Sequence, residues 1–329
     1  MDYGAIIRRS IEVVKKYKWL WIYGAILAGG GGGGGNSISR NFGEDQKTDT
    51  NFDQSEIPTQ ISSVLGTYTA SWQEWLNGIS PGSLFLLIIG VLMLVVLGVI
   101  IGALIRSWAA GALISGVQMG LNNEVVNLSN TTQKGKTKTK NLFYLSLIFF
   151  SGVLTLGAII SIIAYSVFLI YTSTSSLGAI LLGILIGLVV LVLFGTYLAL
   201  TQMYAERLIV LEALRPLDAW KTGFRLAKEN FWKSILMGVI NAISAGVFGF
   251  FATIAVLIIL GIPSLIMLTP SIASKATPSP FVFGLLGIFI LIFVALASLI
   301  SGITTVYRYA NWNQFFEQVV QKESEAQSA

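Results

Sequence analysis

The side chains in this chain able to do chemistry in apolar surroundings are few, and they fall within or beside long hydrophobic runs. Arg106 follows the run at 82–105, Glu206 and Arg207 follow the run at 177–204 that Gln202 helps to close, and Asn241 lies inside the run at 231–268. An ionised group at the centre of a membrane helix costs about 3 kcal/mol or more, whereas one at the end of a helix can snorkel to water. Arg106, Glu206 and Arg207 therefore read either as interfacial anchors or as partners for groups on neighbouring helices. The neutral set, Gln118, Thr201, Gln202, Asn241 and Ser244, reads as interhelical hydrogen-bonding groups worth about 1 kcal/mol each, or as the lining of a polar path. Asn241 is the deepest of them.

Composition removes most other chemistry. The chain has neither cysteine nor histidine, so disulfides, thiol nucleophiles, imidazole bases and His or Cys metal and haem ligands are excluded. No carboxylate pair and no nucleophile with its base fall inside the runs, and neither enzyme activity, cofactor nor metal is expected. Seven consecutive glycines, Gly29–Gly35, lack the preceding strand, the following helix and the Lys-Ser/Thr spacing of a phosphate loop. They read as the frayed outer end of a helix passing into a linker; a close-packed glycine helix and a ligand-binding loop are the alternatives.

The elements that must position these groups are membrane helices. Hydrophobic residues make up 54% of the 329, charged residues only 11%, and mean hydropathy is +0.75; a soluble domain carries about a quarter charged residues. The fold class expected is all-α, a polytopic transmembrane bundle of about six spans arranged as three in-out-in hairpins with amphipathic interfacial helices. The runs lie at about 19–35, 82–105, 142–171, 177–204, 231–268 and 281–306, and all but the first exceed the ~20 residues a crossing needs. The first is marginal, because the apolar residues Trp19–Ala28 reach only about 15 Å and need several of the glycines to cross; a re-entrant segment is the alternative.

Charge sets the orientation. With both termini cytoplasmic in the cell membrane, 18 of the 21 basic residues fall inside and only Arg40, Lys47 and Lys275 outside, the bias that membrane insertion favours. Trp19, Trp21, Tyr144, Tyr204, Trp232, Tyr307, Tyr309 and Trp312 gather at the inner ends as an interfacial belt. The N-terminal segment reads as retained rather than as a signal peptide.

Basic amphipathic segments lead into the hairpins. Residues 3–17 place Tyr3, Ile6, Ile7, Ile11, Val14 and Tyr17 on one helical face, and residues 216–232 do the same with Leu217, Trp220, Phe224, Ala227 and Phe231, opposite Lys221, Arg225 and Lys228. The two segments align with Arg9 over Lys221, Lys16 over Lys228 and Trp19 over Phe231. The middle hairpin has the tract Lys134, Lys136, Lys138 and Lys140 before it. Three regions follow: 1–35, a cytoplasmic amphipathic helix and first span; 36–80, an external acidic loop and an amphipathic helix; and 81–329, a five-span membrane domain with a cytoplasmic tail. In the second region Trp72 and Trp75 anchor a helix at 58–79 that either packs on the outer surface or closes a cavity as a lid. The motifs GVIIG, GVQMG and GILIG suit close helix packing in a bundle, a homo-oligomer or a membrane protein complex.

With its KxxWL pattern at Lys16–Leu20 and the segment LRPLDAWKTGFRLAKENFWK, the chain resembles uncharacterised prokaryotic six-span membrane families, including the membrane domain found beside glycerophosphodiester phosphodiesterases. That resemblance implies no activity of its own, since the phosphodiesterase chemistry needs histidines that are absent here. The function expected is that of a non-enzymatic scaffold or accessory subunit engaging anionic membrane lipid or a protein partner through its basic helices. The alternative is a transporter or channel for a neutral or lipidic solute. No nucleic-acid partner is expected.

Overall fold

The computed structural model of the chain describes residues 2–29, 80–174, 177–265, 269 and 280–328. The glycines beyond Gly29, the acidic stretch at 36–56 and the expected helix with Trp72 and Trp75 lie outside the described residues. The described elements are helical: α1 (Tyr3–Lys16), α2 (Leu20–Gly29), α3 (Pro81–Leu121), α4 (Leu128–Thr174), α5 (Leu177–Leu211), α6 (Pro216–Glu229), α7 (Phe231–Val256) and α8 (Pro280–Ser328), with a π-helical turn, Leu257–Gly261, extending α7.

Five helical stretches are long and apolar enough to cross a membrane: Gly82–Leu121, Leu128–Ile170, Ile180–Leu211, Phe231–Leu265 and Gly287–Gln321. In each, at most 11% of the most apolar window is buried. Water does not tolerate so much contiguous apolar surface, but lipid does. The chain has the helices of a multi-pass integral membrane protein. The first expected span appears as the ten-residue α2, which buries Leu20, Tyr23, Gly24 and Leu27.

The chain divides into two compact units, Met1–Ser37 with Ala103–Ala329, and Ile38–Gly102. The described part of the smaller unit is the first half of α3, opened by Ser80, whose hydroxyl oxygen accepts from the Ser83 N–H at 3.3 Å. Its large side chains, Leu86, Met93 and Leu94 among them, are exposed.

The larger unit owes its core to the surplus length of its helices. A bilayer takes about 20 residues of helix, yet α4 runs for 47 and α8 for 49. The surplus packs at one end. One cluster joins Ile6, Leu145, Tyr204, Leu208, Leu226 and Phe315; the other joins Val13, Tyr17, Leu20, Leu113, Val117 and Val306. By contrast Leu154, Ile162, Leu185, Val192, Phe250 and Leu291, from the apolar stretches of α4, α5, α7 and α8, are exposed. We call the packed end the base and the exposed stretches the arms.

At the base two backbones nearly touch. A Cβ built on Gly302 of α8 would lie 2.6 Å from the Trp21 carbonyl oxygen and 2.9 Å from the Ala25 nitrogen, and one on Gly24 would collide with the Gly302 carbonyl. Of the small-residue motifs, GVQMG makes a comparable seat, with Gly116 against Leu20 and Thr131 and Gly120 against Tyr17. In GILIG a Cβ on Gly183 would collide with Val167, while one on Gly187 would meet nothing within 4 Å among the described residues. The helix α3 ends in a Schellman-type turn: Asn123 takes a φ of 57°, and the Glu124 N–H reaches back to the Met119 carbonyl at 2.9 Å.

The two basic lead-in helices repeat each other more closely than their sequences suggest. Both have 14 residues, and they match at a spacing of 213: α1 buries Ile6, Ser10, Val13 and Val14 where α6 buries Ala219, Gly223, Leu226 and Ala227. The sequence alignment of Arg9 with Lys221 is therefore off by one residue. The expected apolar face of α6 is also corrected, because Leu217 and Phe224 are exposed and small residues face α5 instead. The reason is steric. A Cβ on Gly223 would already stand 2.9 Å from the Thr201 carbonyl oxygen and 3.1 Å from the Ala205 nitrogen, too close for any larger side chain.

Candidate functional site

Four of the polar candidates meet. On α5, Gln202 and Glu206 occupy one helical row and Met203 and Arg207 the next, each pair four residues apart and hence on neighbouring turns. With Arg106 of α3, Phe149 of α4, and Arg308, Tyr309 and Trp312 of α8, they line a cavity of about 240 Å³. It lies where the base gives way to the arms: Leu147 and Phe150 beside Phe149 are exposed, while Tyr204 and Leu208 below are buried.

The charges are unevenly held. Arg207 is 2% exposed; its Nη1 donates to the Met203 carbonyl at 2.7 Å, and its guanidinium carbon stands 5.5 Å from the centre of the Tyr309 ring. Its Nε has no hydrogen-bond partner among the described residues. Glu206, also buried, accepts from Gln202 Nε2 at 3.0 Å. Arg106 is half-buried and makes no hydrogen bond or ion pair among the described residues. Three guanidinium groups thus share one cavity with a single carboxylate.

Asn241 does not belong to this group. It is 2% exposed, and its Oδ1 accepts from Asn311 Nδ2 at 2.7 Å, tying α7 to α8. The remaining polar atoms of both amides, Asn241 Nδ2 and Asn311 Oδ1, have no partner among the described residues. Removing one partner strands a buried amide, whereas removing both removes the demand. Asn241→Leu alone is expected to lower stability by about 1–2 kcal/mol, with much of that recovered in the Asn241→Leu/Asn311→Leu double variant. Unfolding of the two single variants and the double in detergent measures the coupling; additive losses would show that the pair does not interact.

The basic candidates lie on the outside. Lys221, Arg225 and Lys228 are exposed along α6, with Arg225 Nε 4.0 Å from Glu229 Oε1 in an exposed pair of little energetic weight. Lys134, Lys136 and Lys140 are exposed and Lys138 half-buried. These four stand within α4 rather than in a tract ahead of it. Because they occupy alternate positions, Lys134 and Lys138 share one side and Lys136 and Lys140 another. The start of α6 meets α4 across a groove of about 630 Å³ lined by Asn141, Tyr144, Leu217 and Asp218.

A family model described as a family of unknown function (DUF7544) matches residues 14–310. The chain belongs to that family. No curated protein and no solved structure matches it. The matched stretch of this DUF7544 member holds all of α6 and every cavity-lining residue except Trp312.

The reading of the sequence placed Tyr309 in the interfacial belt but picked no group of the last helix as a site residue. Arg308 and Tyr309 line the cavity. Asn313 Nδ2 donates to the Ile114 carbonyl at 3.0 Å, and Gln314 Nε2 donates to Ser10 Oγ at 2.7 Å and to the Ile6 carbonyl at 3.1 Å. Gln118, set aside as a neutral bonding group, pairs with Glu317. A signal existed in RYANWNQFF, where three amides alternate with aromatics and no Gly or Pro ends the preceding helix. A solvated tail has no use for that many large rings.

Proposed function

We propose that this protein is a non-enzymatic membrane module that engages anionic lipid through its basic helices on the cytoplasmic side. The observation that carries the reading is the free side of α6. Ala219, Gly223 and Ala227 are buried, which leaves Leu217 and Phe224 exposed alongside Lys221, Arg225 and Lys228, with Trp232 79% exposed just beyond. An exposed helix face that mixes large apolar and cationic groups suits the headgroup boundary of an anionic leaflet, where each basic residue contributes about 1 kcal/mol.

A scaffold or accessory role fits the same surface, as does the resemblance to membrane domains found beside phosphodiesterases, whose chemistry a separate domain or partner supplies. We rank a solute pathway second. Asn241, its best polar marker, has its amide oxygen occupied by Asn311.

Replacing Lys221, Arg225 and Lys228 together by Gln is expected to cut co-purified acidic lipid by about tenfold or more, given the ~1 kcal/mol that each basic residue contributes, and to lessen its dependence on salt. Membrane insertion is expected to persist on the remaining inner basic residues. Mass analysis of lipid retained by wild type and variant checks this. Unchanged lipid with disturbed insertion would make these charges insertion signals alone.

A further inference from the structure

We propose that the cavity formed by Arg106, Glu206, Arg207 and Arg308 binds a phosphoryl anion. The argument begins with a buried cation. Arg207 is 2% exposed and stays protonated under all ordinary conditions. Its contacts leave Nε without a partner among the described residues. Burying a guanidinium is costly unless an anion and a full set of acceptors come with it.

Among the described residues Glu206 is the only carboxylate on the wall, which three guanidinium groups share. Guanidinium forks match the oxygens of a phosphoryl group in both spacing and planarity, better than they match a chloride or a lone water. The volume of about 240 Å³ is several times the ~30 Å³ that one water takes up in the liquid. It therefore has room for a phosphoryl group and the atoms attached to it.

The remaining walls point to the source. Phe149, Met203 and Trp312 are apolar, and Phe149 belongs to the stretch of α4 where Leu147 and Phe150 are exposed as the arm begins. A phospholipid could place its phosphate among the arginines while its chains follow the arm. Free inorganic phosphate offers the same oxygens without the chains. The inference is independent of the lysine edge on α6, which the test leaves intact.

The test uses the full chain in phosphate-free alkyl maltoside micelles, with thermal unfolding followed as phosphatidylglycerol or inorganic phosphate is added. Phosphatidylglycerol is expected to raise the unfolding temperature of the wild type. In Arg106→Gln its apparent affinity is expected to fall by about tenfold or more, the loss of one charge-assisted contact. Arg106→Lys, which keeps the charge, is expected to recover part of it. Arg106 is chosen because it is half-buried, whereas a change at Arg207 would also disturb the packing on Tyr309. The Gln triple variant on α6 is expected to keep this response even if it loses bulk acidic lipid, which separates this site from the surface reading. Stabilisation by inorganic phosphate alone, lost in Arg106→Gln, would uphold the phosphoryl site with a free anion as its ligand. No response of the folded wild type to either probe, or a response that Arg106→Gln leaves unchanged, would overturn the proposal.

Discussion

Gly302→Leu is expected to destabilise the protein by about 3 kcal/mol, the upper part of the range for overpacking a close-fitted site. A Cβ at this position would meet the backbone of Trp21 and Ala25 at 2.6 and 2.9 Å, and neither can swing aside as the tip of a side chain would. The insult therefore falls on the whole of α2, whose buried residues Leu20 and Tyr23 belong to the second core cluster. Tyr23 would be displaced with it; its hydroxyl lies 2.6 Å from Thr132 Oγ1 and 3.2 Å from Thr131 Oγ1 and ties α2 to the start of α4. Gly24→Ala is expected to act in the same direction, since its Cβ would strike the Gly302 carbonyl. Gly29→Ala supplies the contrast: among the described residues a Cβ built there would meet nothing within 4 Å, and Ala gains up to about 1 kcal/mol over Gly in a helix. Unfolding in detergent orders the three variants. If Gly302→Leu and Gly29→Ala unfold alike, α2 is not docked on α8 at this seam.

The long apolar helices were legible because a bilayer demands about 20 unbroken apolar residues and little else imitates that pattern. Where those helices end was not legible. The segment at 134–140 reads as a basic tract ahead of the middle hairpin because of its lysines, but α4 continues through it, with Gly135 pressed against Trp108 and Ala112. On α6 the hydrophobic ranking misled. In water the large apolar residues of an amphipathic helix face the core, but beside lipid the large residues can face outward and small ones make the helix contact. Hence Gly223 and Ala227 are buried while Leu217 and Phe224 are not.

The cavity was legible only in parts. Arg106, Glu206 and Arg207 each stood out as ionisable groups at the end of an apolar run, and Gln202 as a polar neighbour. Their convergence depends on how α3, α5 and α8 pack, and no local pattern carries that. Asn241 stood out for its depth, but its partner Asn311 lay in a segment read as tail. Ser10, buried beneath Gln314, had no marker in an amphipathic helix whose other buried residues are Ile6, Val13 and Val14.

An all-or-none difference is expected when single cysteines are placed at Thr50, Thr137 and Thr222 and labelled from outside intact cells: Thr50→Cys reacts, and the other two stay protected. The chain's own lack of cysteine makes the labelling free of background. The expectation rests on parity. Arg9 Nη2 donates to the Leu121 carbonyl at 2.9 Å, so α1 lies at the C-terminal end of α3. On the expected six-span topology the first span carries the chain away from that side and α3 brings it back, and α2 would begin the first crossing. Along α8, contact with the N-terminal segment moves from Gln314, beside Ile6 and Ser10, to Gly302, beside Trp21 and Ala25. That direction leads from the base toward the arms. Ten residues of α2 supply about 15 Å of a hydrocarbon layer about 30 Å thick. The turn after α3, the lysines of α4 and the whole of α6 are expected on the side of α1, and because 18 of the 21 basic residues fall there on this topology, that side is the expected cytoplasmic one. Protection at all three positions would mean that neither the first segment nor α3 crosses, and would overturn the six-span topology. Labelling at Thr222 would reverse the orientation and remove the basis for engagement of the cytoplasmic leaflet by α6.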